Sequence, residues 1–131
     1  MDIDHIGIAV WSLSEATERW EQMLHARASI PEVIPSQRVR ASFIELSSPH
    51  LELLEPTQAD SPVARFLNRR GEGMHHIAFS VPSVNERLAE LMREGERVVD
   101  QVGRLGARGR IVGFAHPSAF DGVLVEFVEH R

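Results

Sequence analysis

The hydrophobic pattern near the start of the chain alternates with a period of two over residues 5–10, which predicts a β-strand with two different faces. The even-numbered positions carry isoleucine, isoleucine and valine, and this face is expected to pack beneath a helix. The odd-numbered face carries His5 followed by two small residues, Gly7 and Ala9. Because small side chains make poor core material, this face is predicted to leave space for a ligand.

The same pattern returns in the second half of the chain. Residues 76–81 (HIAFSV) resemble residues 5–10 (HIGIAV) at an offset of 71 positions. His76 is again followed on its own face by two small residues, Ala78 and Ser80. The repeat indicates a duplicated structural unit, which changes the prediction for the whole fold.

Each of these strands is followed by a predicted amphipathic helix. Ser12 and Ser83 open S-x-x-E sequences, which are typical of the capping box at a helix N-terminus, and apolar residues follow at helical spacing. Gly95 is expected to end the second helix, whereas the first is expected to end near His25 without a glycine.

Later strands also recur in both halves. Residues 39–46 match residues 110–115 at the same offset, and residues 49–55 match residues 122–129 at an offset of 74. Each half is therefore predicted to form a strand, a helix and three further strands. We predict an α+β fold made of two βαβββ modules in tandem.

A short connector helix is predicted between the two halves. Ser61 is the expected N-cap, Pro62 the first helical residue and Gly71 the stop signal. The length of 131 residues favours one domain. Its predicted parts are module one (1–56), the connector (57–73) and module two (74–131).

Two acidic residues align in the last strand of each half. Glu52 and Glu126 both stand between apolar neighbours, where a carboxylate is costly unless it is exposed, paired or bound to a metal. Glu55 and Glu129 lie three positions further on, hence on the opposite face, and are predicted to be solvated strand ends.

The repeat thus predicts a metal site built from two copies of one His–Glu pair, namely His5 with Glu52 and His76 with Glu126. Any one of these residues by itself is more often an ordinary polar residue, but their repetition in register favours metal binding. Two imidazoles and two carboxylates suit a divalent ion such as Co²⁺, Mn²⁺, Zn²⁺, Ni²⁺, Fe²⁺ or Mg²⁺. His75 falls on the opposite face of its strand and is left out of the set.

The remaining histidines carry less information. His25, His50 and His130 are predicted to be surface residues. His116 precedes Pro117 after a predicted strand, and is either a turn residue or part of a pocket.

The amino-acid composition excludes several kinds of catalytic group and metal ligand. The chain contains no Cys, Tyr or Lys, which excludes thiolate ligands, lysine Schiff bases and tyrosine acids. The net charge of −5, with no basic run, argues against a nucleic-acid partner. Because no long apolar segment or signal sequence is present, the protein is expected to be cytoplasmic and free of the membrane.

Five motifs, which together span the chain, carry a family resemblance: residues 4–10 (DHIGIAV), 51–56 (LELLEP), 60–67 (DSPVARFL), 71–78 (GEGMHHIA) and 122–126 (GVLVE). They resemble the methylmalonyl-CoA epimerase branch of the vicinal oxygen chelate (glyoxalase/bleomycin resistance/dioxygenase) superfamily. The first motif is common across glyoxalase-like proteins, whereas the third and fourth are closer to the epimerases.

The resemblance implies that the paired modules form a partly closed, mixed and antiparallel β-barrel around one divalent metal, and that the protein is a homodimer. Carried over by position, the ligands are His5, Glu52, His76 and Glu126. The chain departs from the family pattern at Ser118, where members often have Lys, and at Ala41, near which some epimerases have a Glu.

The function implied by the resemblance is epimerisation of a 2-methylmalonyl-CoA-like acyl thioester, through an enolate stabilised by the metal. Glu126 is the predicted acid–base residue, with weaker support for Glu52. Glu45 and His116 are conceivable as the second group. The alternatives are a glyoxalase-type lyase or isomerase acting on another chelating substrate, and a small-molecule binding protein of the same fold.

Overall fold

The computed structural model describes residues 1–130, which form nine β-strands and three α-helices. The strands are β1 (Asp2–Ala9), β2 (Arg27–Ala28), β3 (Glu32–Ile34), β4 (Val39–Glu45), β5 (His50–Pro56), β6 (Gly73–Val81), β7 (Arg104–Leu105), β8 (Ile111–Ala115) and β9 (Val125–Glu129). The helices are α1 (Leu13–Leu24), α2 (Pro62–Arg70) and α3 (Val84–Arg93), with short 3₁₀ helices at Ala107–Gly109 and Pro117–Phe120.

The chain divides into two compact units. The first unit comprises residues 5–75, and the second comprises residues 1–4 together with the chain from residue 76 onward. In the first unit the strand order is β2-β4-β5-β1, and β3 also pairs with β4; in the second it is β6-β9-β8-β7. The predicted boundaries of the modules and connector stay a prediction.

Both units combine parallel and antiparallel strand pairs in the same way. β5 runs parallel to β1 and antiparallel to β4, and β9 runs parallel to β6 and antiparallel to β8. The predicted α+β class and the βαβββ order are therefore confirmed. In the first unit the strand after the helix is divided into two short pieces, β2 and β3.

The helices begin where the sequence predicted. The hydroxyl oxygens of Ser12 and Ser83 accept hydrogen bonds from backbone N–H groups three residues later, at 3.3 and 3.2 Å. Ser61 caps α2 in a similar way, accepting from the N–H of residue 63 at 3.2 Å. His25 ends α1 in a left-handed conformation with φ 52°, and Gly95 takes φ 83° just after α3.

Each helix of a module packs on the apolar face of its own sheet. The first core cluster contains Ile8, Val10, Leu13, Ala16, Ile44 and Leu53. The second contains Val81, Val84, Leu88, Ala115, Val125 and Phe127. The face predicted to lie beneath the helix therefore does so, and the opposite face of each sheet carries His5 or His76. Among residues 1–130, no helix has the length and apolar character needed to cross a membrane.

Glu55 and Glu129 hold the first turns of α1 and α3, so the prediction that they are solvated strand ends was wrong. Glu55 Oε2 accepts from the backbone N–H of Leu13 at 3.0 Å, and Glu129 Oε1 accepts from that of Val84 at 3.1 Å. These N–H groups have no partner inside the helix, and a negative charge favours the helix N-terminus. The two acids thus connect the last strand of each unit to its helix.

Replacement of Glu129 by alanine is expected to lower the free energy of unfolding by about 1–2 kcal/mol, because the N–H of Val84 loses a charged acceptor. Glu55→Ala should cost a similar amount, since its contact with Leu13 is equivalent. Urea denaturation monitored by circular dichroism measures both. Glu90→Ala, at an exposed position of α3, is the control; equal losses in all three variants would contradict the capping role.

Candidate metal centre

The first His–Glu pair lies on adjacent strands of the first unit. His5 stands on β1 and Glu52 on β5, and the imidazole Nε2 is 3.3 Å from the carboxylate Oε1. Gly7 is the direct Cα partner of Glu52 across the two strands. Because glycine has no side chain, the carboxylate can lie beside His5. Both residues are buried, with exposures of 5% and 3%.

The second pair has the same arrangement, and the same two atoms, His Nε2 and Glu Oε1, are in contact. His76 Nε2 on β6 is 3.3 Å from Glu126 Oε1 on β9. Ala78 is the Cα partner of Glu126, as Gly7 is of Glu52. Exposures are 3% for His76 and 2% for Glu126. The predicted pairs therefore form in both units, each on the face that carries small residues; we call this the ligand face.

A phenylalanine supports each pair, in a role that the sequence analysis missed. Phe43 is the cross-strand partner of Glu52, and its ring meets the His5 ring edge-on at 5.7 Å between centroids. Phe114 pairs with Glu126, and its ring centroid lies 5.5 Å from that of the His76 ring. The two phenylalanines are 71 positions apart, the offset of the repeat, and this spacing was the signal for their role.

The donor set fits a divalent metal ion. A carboxylate buried among apolar neighbours loses its hydration, and a single imidazole offsets only part of that cost. Imidazole nitrogen and carboxylate oxygen are ligands that Zn²⁺, Co²⁺ and Mn²⁺ accept. His5, Glu52 and His76 each offer a ligand atom from a buried side chain. The second unit's carboxylate, Glu126, is not in this set of three; its Oε1 lies 3.3 Å from His76 Nε2.

His50 was predicted to be a surface residue, and this was wrong. It is the Cα partner of His5, so both rings lie on the ligand face of the first unit. The residue is half-buried, and its ring lies 6.5 Å from that of Phe43. Its Nδ1 is buried without a hydrogen-bond partner among residues 1–130. The alternation of β5 places positions 50 and 52 on one face, so the sequence contained the signal.

The two residues that were conceivable as the second acid–base group, His116 and Glu45, lie at the ends of strands. His116 caps the second 3₁₀ helix, and its Nδ1 accepts from the backbone N–H of Ser118 at 3.0 Å, which is the geometry of a turn residue. Glu45 is exposed at the end of β4. His75 points away from the ligand face and packs edge-on against Phe66 at 5.0 Å, in agreement with its exclusion from the ligand set.

Comparison with known proteins places this geometry in a family. The family model described as the glyoxalase/bleomycin resistance protein/dioxygenase superfamily matches residues 4–114. The chain is 40% identical to the uncharacterized protein YqjC of Bacillus subtilis, over 98% of this chain and 92% of that protein. It is 34% identical to the mitochondrial methylmalonyl-CoA epimerase of Bos taurus, over 95% of this chain and 71% of the relative.

A solved structure of a methylmalonyl-CoA epimerase has the same fold as this chain. The methylmalonyl-CoA epimerase of Streptomyces coelicolor, a variant in complex with 2-nitronate-propionyl-CoA, superposes with a TM-score of 0.93 at 36% identity, covering 98% of this chain and 94% of that one. The chain therefore belongs to the glyoxalase/bleomycin resistance/dioxygenase superfamily and, within it, to the methylmalonyl-CoA epimerase family.

Proposed function

We propose that this chain is a metal-dependent epimerase that removes and returns the α-proton of a 2-methylmalonyl-CoA-like thioester. The observation that carries the proposal is the pair of buried His–Glu contacts at 3.3 Å, repeated on equivalent strands in a member of this family. Two relatives of this chain are named as methylmalonyl-CoA epimerases, and one of them was solved with an acyl-CoA analogue.

In this proposal His5, Glu52, His76 and Glu126 hold one divalent ion. The pseudo-symmetry of the repeat supports it, because each unit supplies the same two donors from the same strand positions. When bound, such an ion stabilises the negative charge that develops on a substrate oxygen during α-proton removal, a contribution of several kcal/mol.

We assign the acid–base role to Glu126 first and to Glu52 second. The Cα–H bond of the substrate breaks, a carboxylate oxygen takes the proton, and the electron pair enters the thioester carbonyl as an enolate. Return of a proton to the opposite face of the α-carbon inverts the centre. The burial of both carboxylates supports this role, because water is then kept from the reacting carbon.

The test is to incubate the metal-loaded protein with methylmalonyl-CoA in D₂O and follow deuterium at the α-carbon by NMR. We expect exchange with at least one of Co²⁺, Mn²⁺, Zn²⁺ and Mg²⁺, and loss of exchange when a chelator removes the ion. Protein treated with the chelator and then given back the ion is the matched control. Absence of exchange with all four ions would overturn the proposed function.

The proposal also covers the domain bounds, the oligomeric state, the cellular location and the partner molecule of this protein. We propose a single domain over residues 1–131, a homodimer, a cytoplasmic location and a small acyl thioester as the partner molecule. The net charge of −5 supports the absence of a nucleic-acid partner. Sedimentation equilibrium of the purified protein tests the dimer.

A further inference from the structure

His50 of the first unit has a buried ring nitrogen without a hydrogen-bond partner, next to the proposed ligands of that unit. It is the Cα partner of His5 on β1 and stands two residues before Glu52 on β5, so the three side chains share the ligand face. Nδ1 of His50 is buried and has no hydrogen-bond partner among residues 1–130, although the residue as a whole is only half-buried. Buried polar atoms without a partner are rare in folded proteins, so this ring requires an explanation.

Support of the His–Glu pair does not explain His50. The offset of 74 that relates the final strands places Leu124 at the position equivalent to His50. The second His–Glu contact has the same length as the first, 3.3 Å, with leucine at that position. His50 also does not belong to the group of three possible metal ligands described above. It is therefore an addition to the first unit that the repeated pair does not require.

The two ring nitrogens of His50 have different surroundings. The Phe43 ring meets the His50 ring edge-on at 6.5 Å between centroids, and Nδ1 is buried. A neutral imidazole carries a proton on one nitrogen and a lone pair on the other. Among buried backbone groups an N–H without an acceptor is rarer than a carbonyl without a donor, and the same preference assigns the lone pair to Nδ1. Nε2 then carries the N–H, and it is the ring nitrogen left to meet a ligand.

We propose that His50 is a substrate-binding residue whose Nε2–H donates a hydrogen bond to an acyl oxygen of a malonyl-type thioester, on the ligand face of the first unit. This inference rests on the proposed function, which supplies the substrate class. The acyl part of such a thioester offers only acceptors, namely the thioester carbonyl and the carboxylate, so an N–H donor matches either. Leu124 offers no such donor, so the two ligand faces, which carry the same His–Glu pair, differ at this position.

Amide variants of His50 separate its two ring nitrogens, because a glutamine amide nitrogen reaches about as far as Nε2 and an asparagine amide nitrogen about as far as Nδ1. Calorimetry on the Zn²⁺-loaded protein measures binding of dimethylmalonyl-CoA, which has no α-proton. We expect His50→Gln to bind this ligand as the wild type does. His50→Asn and His50→Leu should bind it about 3- to 10-fold more weakly, the effect of one hydrogen bond. His130→Asn, at an exposed position, is the control and should bind as the wild type does.

Two further ligands identify the oxygen that accepts from His50. Pivaloyl-CoA replaces the carboxylate with a methyl group, so a loss for dimethylmalonyl-CoA alone identifies the carboxylate, and a loss for both identifies the thioester carbonyl. Coenzyme A lacks the acyl group and should bind all the variants equally. A loss for coenzyme A as well, unchanged binding in His50→Leu, full affinity in His50→Asn with a loss in His50→Gln, or equal losses in all three variants would each overturn the proposal.

A second measurement uses the wild-type protein itself. Long-range ¹H–¹⁵N correlation NMR of the Zn²⁺-loaded protein shows which imidazole nitrogen carries the proton, and the His50 signals are those missing from the spectrum of His50→Gln. We expect the Nε2–H tautomer in the free protein and a shift of the Nε2 signal when dimethylmalonyl-CoA is added. An Nδ1–H tautomer, or an Nε2 signal that does not move, would exclude the proposed hydrogen bond.

The outcome is separable from that of the proposed function, because dimethylmalonyl-CoA cannot undergo α-proton exchange. A wild-type protein that binds this ligand through His50, yet exchanges no α-proton of methylmalonyl-CoA in D₂O, would keep this inference and reject the epimerase activity. Full exchange by the wild type together with unchanged ligand binding in His50→Leu would do the reverse.

Discussion

Replacement of Glu126 by glutamine is expected to weaken divalent metal binding by at least about 100-fold and to abolish α-proton exchange. Loss of an outer partner of a metal ligand already costs about 10- to 100-fold in affinity, and here a direct oxygen donor loses its charge. The same carboxylate is the proposed base, and an amide does not accept the proton. Folding of the metal-free protein should not suffer, because a buried neutral amide costs less than a buried carboxylate.

Thermal unfolding with and without metal measures this effect. An ion at 100 times its dissociation constant stabilises the wild type by about 2.7 kcal/mol, whereas a 100-fold weaker site gains only about 0.4 kcal/mol at that concentration. Glu45→Gln is the control, since Glu45 is exposed at the end of β4. A Glu126→Gln variant that keeps the full metal-induced rise in Tm would remove Glu126 from the ligand set.

Replacement of Leu88 by alanine is expected to lower the free energy of unfolding by about 2–5 kcal/mol. Leu88 is fully buried at the centre of the second core cluster, between α3 and its sheet. Its side chain lies so close to the backbone of Gly113 that a Cβ added there would come within 2.8 Å of Leu88 Cδ1. Such close packing leaves little room for the site to collapse around the smaller side chain, so a cavity remains.

Urea denaturation gives the free energy of unfolding of this variant, and Leu91→Ala is the comparison on the same helix. Leu91 is only partly buried against the same cluster, so its loss should cost about 1 kcal/mol. Similar values for the two variants would contradict the closer packing of Leu88. Metal affinity should change little in Leu88→Ala, because Leu88 belongs to the helix side of the sheet and not to the ligand face.

Much of the fold followed from the repeat. The alternation in residues 5–10 and 76–81, followed by the capping serines, predicted both modules because local backbone preferences and side-chain periodicity act over a few residues. The pairing of Glu52 with His5 was also predictable, since small residues follow His5 on its face and apolar residues flank Glu52. A second His–Glu pair on the equivalent strands of the other half argued against a chance pattern.

The roles of residues that meet across long stretches of chain were not predictable in the same way. Glu55 reaches Leu13 across 42 positions, and Glu129 reaches Val84 across 45. Alternation predicted their face correctly, but no local pattern shows that a helix N-terminus lies there. A charged strand end therefore looked solvated, although it satisfies a backbone donor.

The sequence by itself thus determined the duplicated βαβββ order and the connector helix, because both depend on short-range periodicity and on the repeat. The four ligands stay a prediction that rests on the same repeat. Only the tertiary structure decided which side chains become neighbours of those ligands. Strand register placed Phe43 and Phe114 against the histidines and brought His50 onto the ligand face. Register depends on how distant strands pair, and a shift of one residue would move every side chain to the other face.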